Sequence, residues 1–306
     1  MSPDIVHIFS YLPSFLTNAL AIEARLLGLP LVWTPVYHPS RRQLYKRRLQ
    51  RTLGNLFDDY LGPILLRRAH AVVALTDSAA AFYRSIGTAE TSVIPPSADE
   101  PMVQSVATLD RVARKFGVAP GVTILCVGRV NWYKGVDLLV DLWPTVKRAL
   151  PEARLLAVGP DAGSLENIQN KVRQLGYTDI VFTGEIEDYE LSALYDLCDL
   201  VVSPSRFETF GITSIEAWAH RKPVVVFDLG GPTDHITAEA GVKVPPFSAE
   251  AMAEAIITLL RDKETARVMG ETGYGIFQAG YTRQALADRY ERVYNSVLRS
   301  FRHDSA

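Results

Sequence analysis

The chain has 306 residues, 48% of them hydrophobic and 22% charged, and its net charge is −2 at pH 7. It contains no run of 18 apolar residues, which excludes a membrane-spanning helix from the sequence given. Its two cysteines lie in apolar segments, and no Cys/His cluster has metal-site spacing, so we expect neither a disulfide framework nor a metal site. The N-terminal residues lack the pattern of a secretory signal, and we expect a cytoplasmic protein.

Basic residues are concentrated near the N-terminus. Residues 1–70 contain nine Lys and Arg against four Asp and Glu, and six of the nine lie within residues 41–51, which contain no acid. Such a run is most often a solvated helix face. The alternative is a surface for an anionic acceptor, such as a lipid phosphate, or for the inner face of an anionic membrane. Peripheral membrane contact through residues 41–51 therefore remains open.

Short apolar segments alternate with helical patterns over the first hundred residues. Strands that alternate with helices indicate a parallel sheet covered by helices. We predict strands at 4–9, 31–34, 71–76 and 92–96, and helices at 20–27, 41–51, 55–68, 78–86.

A stretch without apolar periodicity, residues 99–108, is the predicted linker to a second domain. The pattern beyond it is again α/β, so the fold class is α/β with two Rossmann-like domains and parallel sheets. No Gly-x-Gly-x-x-Gly fingerprint occurs, which disfavours an oxidoreductase. We predict strands at 122–127, 155–159, 180–183, 200–203 and 224–227, and helices from 136 and at 212–220, 249–260, 283–301.

Two cations follow the first strand of the second domain. Gly128 and Arg129 come directly after the strand, and Lys134 ends the loop. Arginine offers a planar fork and lysine a point charge, and together they suit a diphosphate. Considered alone, the pair is more often simply two exposed loop cations.

The loop after the strand at 200–203 is the most informative stretch of the sequence. Gly211 allows close backbone approach, and the amides of Phe210, Gly211 and Ile212 start a helix, where anions bind. Glu216, about one turn into that helix, suits a ribose diol, and Glu208 suits a sugar hydroxyl. The alternative for each glutamate is an ordinary loop or helix-start carboxylate.

Together these segments resemble the donor-site signature of glycosyltransferase family 4, which comprises retaining GT-B enzymes. The resemblance implies a GT-B fold, a nucleotide-diphosphate sugar as co-substrate, no cofactor and no metal. It also implies that Arg129, Lys134 and Glu208 are catalytic, and that the backbone at Ile186 faces the base of the donor. The matching segments are Val127-Gly128-Arg129, Lys134-Gly135, Glu208, Phe210-Gly211, Glu216-Ala217, Lys222-Pro223-Val224-Val225 and Asp228-Leu229-Gly230-Gly231.

The first domain departs from the family pattern. It has about four strands where the family usually has around seven, so we expect that the opening strand and its Gly-rich loop are missing. Where the family has the His of a Thr-x-His motif, two residues after Thr34, this chain has Val36. His38, Arg41 and Arg42 are weak candidates for the acceptor side. An unpaired sheet edge would favour a partner or a homo-oligomer.

The sequence therefore predicts a retaining, metal-independent glycosyltransferase. The expected domains are a shortened acceptor-side domain at 1–107, a nucleotide-sugar-binding domain at 108–282 and a C-terminal helix at 283–306 that packs back on the first domain. The expected partners are a nucleotide sugar and a hydroxyl acceptor, which could be a glycan, lipid-linked or small, and no nucleic acid is expected. The alternatives are a non-catalytic, partner-dependent nucleotide-sugar-binding subunit and a GT-B-type epimerase or phosphorylase.

Overall fold

The computed structural model describes residues 3–10, 15–36, 52, 54–118 and 122–304. The chain forms two compact units, one of Met1–Ser97 with Arg283–Ala306 and the other of Ala98–Thr282. The predicted basic helix at 41–51 and the acceptor-side candidates His38, Arg41 and Arg42 lie outside the described residues.

The sheet of the first unit is parallel, and its described strands lie side by side in sequence order. The four predicted strands of this unit are confirmed, with ends displaced by a few residues. They are β1 (Val6–Ser10), β2 (Leu31–Pro35), β3 (Ala71–Ala74) and β4 (Glu90–Val93).

Both faces of this sheet are buried, as parallel sheets require. On one face Trp33 of β2 packs with Tyr83 and Leu66 from helices, and on the other Val32 packs with Val293 near the C-terminus. Successive residues of a strand point to opposite faces, so Val32 and Trp33 belong to different layers. The helices are α1 (Phe15–Leu26), a π-helical turn (Phe57–Leu61), α2 (Gly62–Leu66), α3 (Asp77–Ser85) and, on the second face, α12 (Arg283–Asp304).

A parallel sheet of six described strands forms the centre of the second unit, in the order β10-β9-β8-β5-β6-β7. The reversal of strand order lies between β5 and β8, which are neighbours in space although far apart in sequence. In open α/β sheets, ligands bind at such a switch point, outside the carboxyl ends of the strands. The strands are β5 (Thr123–Val127), β6 (Arg154–Val158), β7 (Ile180–Gly184), β8 (Leu200–Ser203), β9 (Val224–Phe227) and β10 (Gly241–Val244).

Helices flank this second sheet, and the core is built from the valines and leucines of its strands with apolar helix residues such as Trp143 and Met252. The helices of the second unit are α4 (Val106–Phe116), α5 (Val136–Ala149), α6 (Leu165–Gln174), α7 (Asp188–Leu197), α8 (Ile212–Ala219), α9 (Gly231–His235), α10 (Ala249–Arg261) and α11 (Lys263–Gly280).

The helix α4 begins inside the predicted linker. Ser105 caps it by accepting a hydrogen bond from the amide of Thr108, and only Val112 and Phe116 of the helix are buried. The apolar residues Val106, Leu109, Val112 and Phe116 recur at helical spacing, so the helix start was predictable and the predicted linker extends too far. In the described part of the chain, no helix has the length and apolar character needed to cross a bilayer.

Candidate donor site in the second unit

The predicted site residues of the second unit lie on loops at the carboxyl edge of its sheet. Gly128, Arg129 and Lys134 follow β5, whereas Glu208 and Gly211 follow β8, the adjacent strand. Because β5 and β8 are paired and parallel, their loops leave the sheet side by side. The sheet topology therefore brings together two motifs that are far apart in sequence.

The loop after β5 is held against the exit of β8. It forms a 3₁₀ turn at Trp132–Lys134, capped by Asn131, whose side-chain oxygen accepts from the amide of Lys134 at 3.0 Å. Gly135 follows with φ of 73°, and a Cβ atom there would clash with the carbonyl oxygen of Pro204. Glycine is needed here for both its conformation and its lack of a side chain.

Lys134 and Glu208 form an ion pair between these two loops, from Nζ to Oε1. The lysine side chain is 20% exposed and the glutamate 12%, so the pair is largely removed from water. Ser205 Oγ also donates to Glu208 Oε1, at 3.0 Å. The structure thus places a cation and a carboxylate, both fixed in orientation, at the same point of the sheet edge.

Arg129 is exposed and does not join this pair. Its Nη2 donates to the hydroxyl of Tyr133 at 2.6 Å, and its guanidinium lies 5.9 Å from the centre of the same ring. Behind it, the backbone of Gly128 runs beside the Lys134 side chain, which a Cβ atom at Gly128 would approach to 3.3 Å. The two predicted diphosphate ligands therefore occupy one loop and differ in exposure.

The helix α8 starts with an unusual residue conformation. Gly211 is its N-cap with φ of 92°, and a Cβ atom there would lie 2.9 Å from Pro232 Cγ. Among the described residues, no side chain caps this end of the helix. Uncapped amides at a helix start attract an anion. Phe210, Gly211 and Ile212 therefore lie where the sequence places them, at the start of α8.

Glu216 lies in the second turn of α8 and is mostly buried. Tyr195 of α7 donates its hydroxyl hydrogen to Glu216 Oε2 at 2.7 Å. Burial raises the pKa of the Glu216 carboxyl above its ordinary value, partly offset by this hydrogen bond. Burial, with the nearby Glu216 carboxylate, raises the pKa of Tyr195 well above 10.

The loops after β8 and β9 pack on each other through glycines. The amide of Gly231 donates to the carbonyl oxygen of Glu208 at 3.1 Å, and a Cβ atom at Gly231 would clash with Phe210. His235 stacks on Phe210 with ring centres 4.3 Å apart, and burial lowers the pKa of its imidazole to about 4. Close packing of this kind fixes the backbone around Phe210.

Ile186 is half-buried in the loop after β7, at the same edge of the sheet but two strands from β5. The structure therefore gathers Gly128, Lys134, Glu208 and Gly211 around the switch point, with Ile186 farther along the edge.

Sequence reasoning missed several partners of the site. Tyr195 gives no local signal because it sits in a helix with an apolar face. Arg206 donates from Nη1 and Nη2 to both carboxylate oxygens of Asp137, at 2.7 and 2.8 Å, and from Nη1 to the carbonyl oxygen of Trp132 at 2.7 Å. Arg206 lies two residues before Glu208 in sequence. An arginine at that position could have been considered as a bidentate partner for a carboxylate, because its guanidinium is planar and donates in parallel.

Comparison with known proteins shows where this architecture occurs. The family model "Glycosyl transferases group 1" matches residues 115–275, and the model "Glycosyl transferase 4-like domain" matches residues 1–97. The first match alone covers more than half of the chain and contains every predicted donor-site residue.

Two curated relatives give the range of sequence similarity. The O-antigen chain mannosyltransferase C of Escherichia coli is 32% identical over 58% of this chain and 47% of its own length. The D-inositol 3-phosphate glycosyltransferase of Segniliparus rotundus is 34% identical over 68% of this chain and 47% of its own length. The chain thus spans about half the length of these relatives.

Solved structures share the fold. Sucrose-phosphate synthase from Thermosynechococcus elongatus superposes with a TM-score of 0.81 at 25% identity, over 97% of this chain and 74% of its own. Anabaena HepE in complex with UDP and glucose has a TM-score of 0.77 at 20% identity, over 95% of this chain and 77% of its own. The chain belongs to glycosyltransferase family 4, the group 1 glycosyl transferases, and has their GT-B fold of two Rossmann-like units.

Proposed function

We propose that this protein is a retaining glycosyltransferase that moves a sugar from a nucleotide-diphosphate sugar to a hydroxyl acceptor. The observation that carries the proposal is the Lys134–Glu208 pair at the switch point of the second sheet, next to the uncapped start of α8. Cations and amides there suit a diphosphate, and carboxylates beside them suit the hydroxyls on either side of it.

Arg129 and Lys134 are proposed to stabilise the diphosphate as it leaves. Negative charge grows on the leaving phosphate in the transition state, and fixed positive charge is most effective there. Amides at Phe210, Gly211 and Ile212 would add to this stabilisation. These groups would supply the positive charge without a metal ion, so we propose metal-independent transfer.

The two glutamates have separate proposed roles. Glu216, on α8, would accept hydrogen bonds from the ribose diol. Glu208, on the loop, would accept from a hydroxyl of the transferred sugar, and its contacts with Lys134 and Ser205 would hold it in place. The carboxylates therefore recognise two different rings of one donor.

Retention of anomeric configuration is proposed from family membership. We propose that the leaving phosphate itself assists deprotonation of the acceptor hydroxyl on the same face of the sugar. The described site has no need of a protein nucleophile under this scheme. The geometry is compatible with it because Lys134 and the start of α8 both lie beside the proposed phosphate position.

The acceptor can be proposed only as a broad chemical class. The relatives are described as enzymes that glycosylate an O-antigen chain and D-inositol 3-phosphate. We propose a hydroxyl acceptor of a glycan, lipid-linked or small-molecule class, with His38, Arg41 and Arg42 on the acceptor side. Contact of the basic run at 41–51 with an anionic membrane face belongs to the same proposal.

The test has two stages. A thermal-shift screen of UDP-, GDP- and ADP-sugars identifies the donor, because a ligand present at a hundred times its Kd raises the unfolding free energy by about 2.7 kcal/mol. NMR of the product formed by the protein with that donor and an acceptor panel then gives the anomeric configuration. Binding without hydrolysis or transfer would instead indicate a binding subunit, and an inverted product would contradict retention.

Lys147→Ala provides a matched control for the site variants. Lys147 pairs with Asp179 on side chains that are 22% and 17% exposed, close to the values for Lys134 and Glu208. That pair joins α5 to the segment before β7 and lies outside the proposed site. Lys134→Ala should abolish most transfer, whereas Lys147→Ala should affect stability only.

A further inference from the structure

Tyr195 is a buried phenol in the helix α7 with a polar contact to the proposed site. Its side chain is 2% exposed, and its neighbours Ala193 and Leu194 are also buried. Burying a hydroxyl is unfavourable unless it finds a hydrogen-bond partner. The partner is Glu216 Oε2, at 2.7 Å.

The Tyr195 ring is itself held by a second set of contacts. It stacks on His220, with ring centres 5.1 Å apart and 17° between the planes. His220 Nδ1 lies 2.6 Å from Asp196 Oδ1, and Lys222 Nζ donates to the carbonyl oxygen of Asp196 at 2.8 Å. The ring of Tyr195 therefore has one orientation, fixed by the ends of α7 and α8.

The two carboxylate oxygens of Glu216 differ in their hydrogen bonding. Oε2 accepts from Tyr195, whereas Oε1 accepts no hydrogen bond within the described residues. Fixing one oxygen of a planar carboxylate fixes the direction of the other. The remaining oxygen is thus preoriented to accept from a ligand, and the cost of orienting it is met in folding rather than in binding.

We propose that Tyr195 is a positioning residue that acts through Glu216 and makes nucleotide binding depend on the ribose hydroxyls. The inference rests on the proposed function, because it takes the ligand to be a nucleotide. It goes beyond that function by naming the residue outside the loop motifs that sets discrimination between ribose and deoxyribose. A purely structural Tyr195 would only join α7 to α8.

The test compares UDP, GDP and ADP with their 2′,3′-dideoxy counterparts, by calorimetric titration of the full chain. The wild-type protein should bind its preferred ribonucleotide at least tenfold more tightly than the dideoxy form, because the dideoxy form cannot donate hydrogen bonds to the Glu216 carboxylate. Tyr195→Phe should lower ribonucleotide affinity roughly tenfold and change dideoxynucleotide affinity less than about twofold.

A double-mutant cycle tests the route of action. In a Glu216→Ala background, which has no acceptor for the Tyr195 hydroxyl, Tyr195→Phe should have no further effect on ribonucleotide affinity. A further loss of the same size in that background would show that Tyr195 does not act through Glu216. If Tyr195→Phe does not fold, His220→Gln replaces it, since removing the stacked ring should also reduce the ribose preference.

The outcomes separate this inference from the proposed function. Equal loss of affinity for ribonucleotide and dideoxynucleotide in Tyr195→Phe would overturn the positioning role and leave the proposed function intact. If the wild-type protein binds none of the three diphosphates, the proposed function fails, and the inference fails with it. A selective loss that disappears in the Glu216→Ala background supports both.

Discussion

Lys134 and Glu208 are 74 residues apart in sequence and form a direct ion pair, because β5 and β8 are neighbours in the second sheet. Each residue is also a proposed ligand of the donor. A diphosphate that approaches Lys134 therefore meets a lysine already oriented by a carboxylate. A preoriented lysine needs no rearrangement to stabilise the leaving group, which favours a high transfer rate. The negative charge of Glu208, in contrast, partly offsets the attraction between Lys134 and the diphosphate.

Lys134→Ala and Arg129→Ala should each reduce the transfer rate by about 10²–10³-fold, as expected for the loss of one preorganised charge stabiliser. Binding of the bare nucleoside should change little, because it has no diphosphate. Steady-state kinetics and titration with nucleoside and nucleoside diphosphate measure both effects, with Lys147→Ala as control. Nucleoside binding that falls as much as diphosphate binding would mean that the two cations are structural.

Glu208→Gln and Glu216→Gln should separate rate from affinity. The Glu216 variant should weaken nucleotide binding by roughly tenfold or more, since it removes the negative charge and replaces one of the two acceptor oxygens by an NH2 donor. The Glu208 variant should mainly lower kcat, because the transferred sugar is part of the reacting centre. Titration with nucleoside diphosphate and kinetics with the complete donor distinguish them. Identical effects of the two variants on both quantities would contradict the assignment.

Glu216→Gln should also stabilise the folded protein at neutral pH. Burial raises the pKa of this carboxyl in the folded state, so the folded protein binds that proton more tightly than the unfolded chain. The charged carboxylate therefore costs stability above the raised pKa, and the cost disappears as pH falls through it toward the ordinary value of 4.5.

Thermal unfolding from pH 4 to pH 8 measures this difference. The Tm of Glu216→Gln should exceed that of the wild type at pH 8, and the two should converge near pH 4. Tyr195, His220, Lys134 and Asp99 are the ionisable groups that influence Glu216, and they are the same in both proteins. A difference in Tm that does not vary with pH would have to come from packing rather than from ionisation.

Two glycines of α11 should respond to alanine in opposite ways. A Cβ atom at Gly273 would clash with the ring of Trp218 on α8, whereas at Gly275 it would meet no atom of the described residues within 4 Å. Gly273→Ala should lower the unfolding free energy by about 1–3 kcal/mol through overpacking, and weaken nucleotide binding because Trp218 lies two residues from Glu216. Gly275→Ala should raise the unfolding free energy by up to about 1 kcal/mol.

Denaturant titration of both variants tests this prediction. Since the two positions share one helix, a general intolerance of the helix to substitution would lower the stability of both. Destabilisation by Gly275→Ala would therefore contradict the packing argument.

Much of the fold was predictable because short runs of β-branched residues, such as Val201-Val202 and Val224-Val225, are typical of buried parallel strands. The locations of the two motifs on strand-end loops followed from the same reasoning. The contact between Lys134 and Glu208 could not be predicted in this way, because it depends on the order of strands in the sheet, which the local sequence pattern does not encode. Tyr195 was missed because its partner lies in another helix. The start of α4 was wrongly included in the linker, although its apolar residues recur at helical spacing.

The salt bridge from Arg206 to Asp137 bears on whether the site is assembled before a ligand binds. Arg206 also donates its backbone amide to the carbonyl oxygen of Tyr133 at 2.7 Å, and its Nη1 donates to that of Trp132. Main chain and side chain therefore both join the loop after β8 to the loop after β5, and the salt bridge adds the first turn of α5. Amide groups bonded in this way exchange slowly with solvent. The exchange rate of the Arg206 amide thus reports whether this surface is assembled before any nucleotide arrives, without requiring that the nucleotide be known.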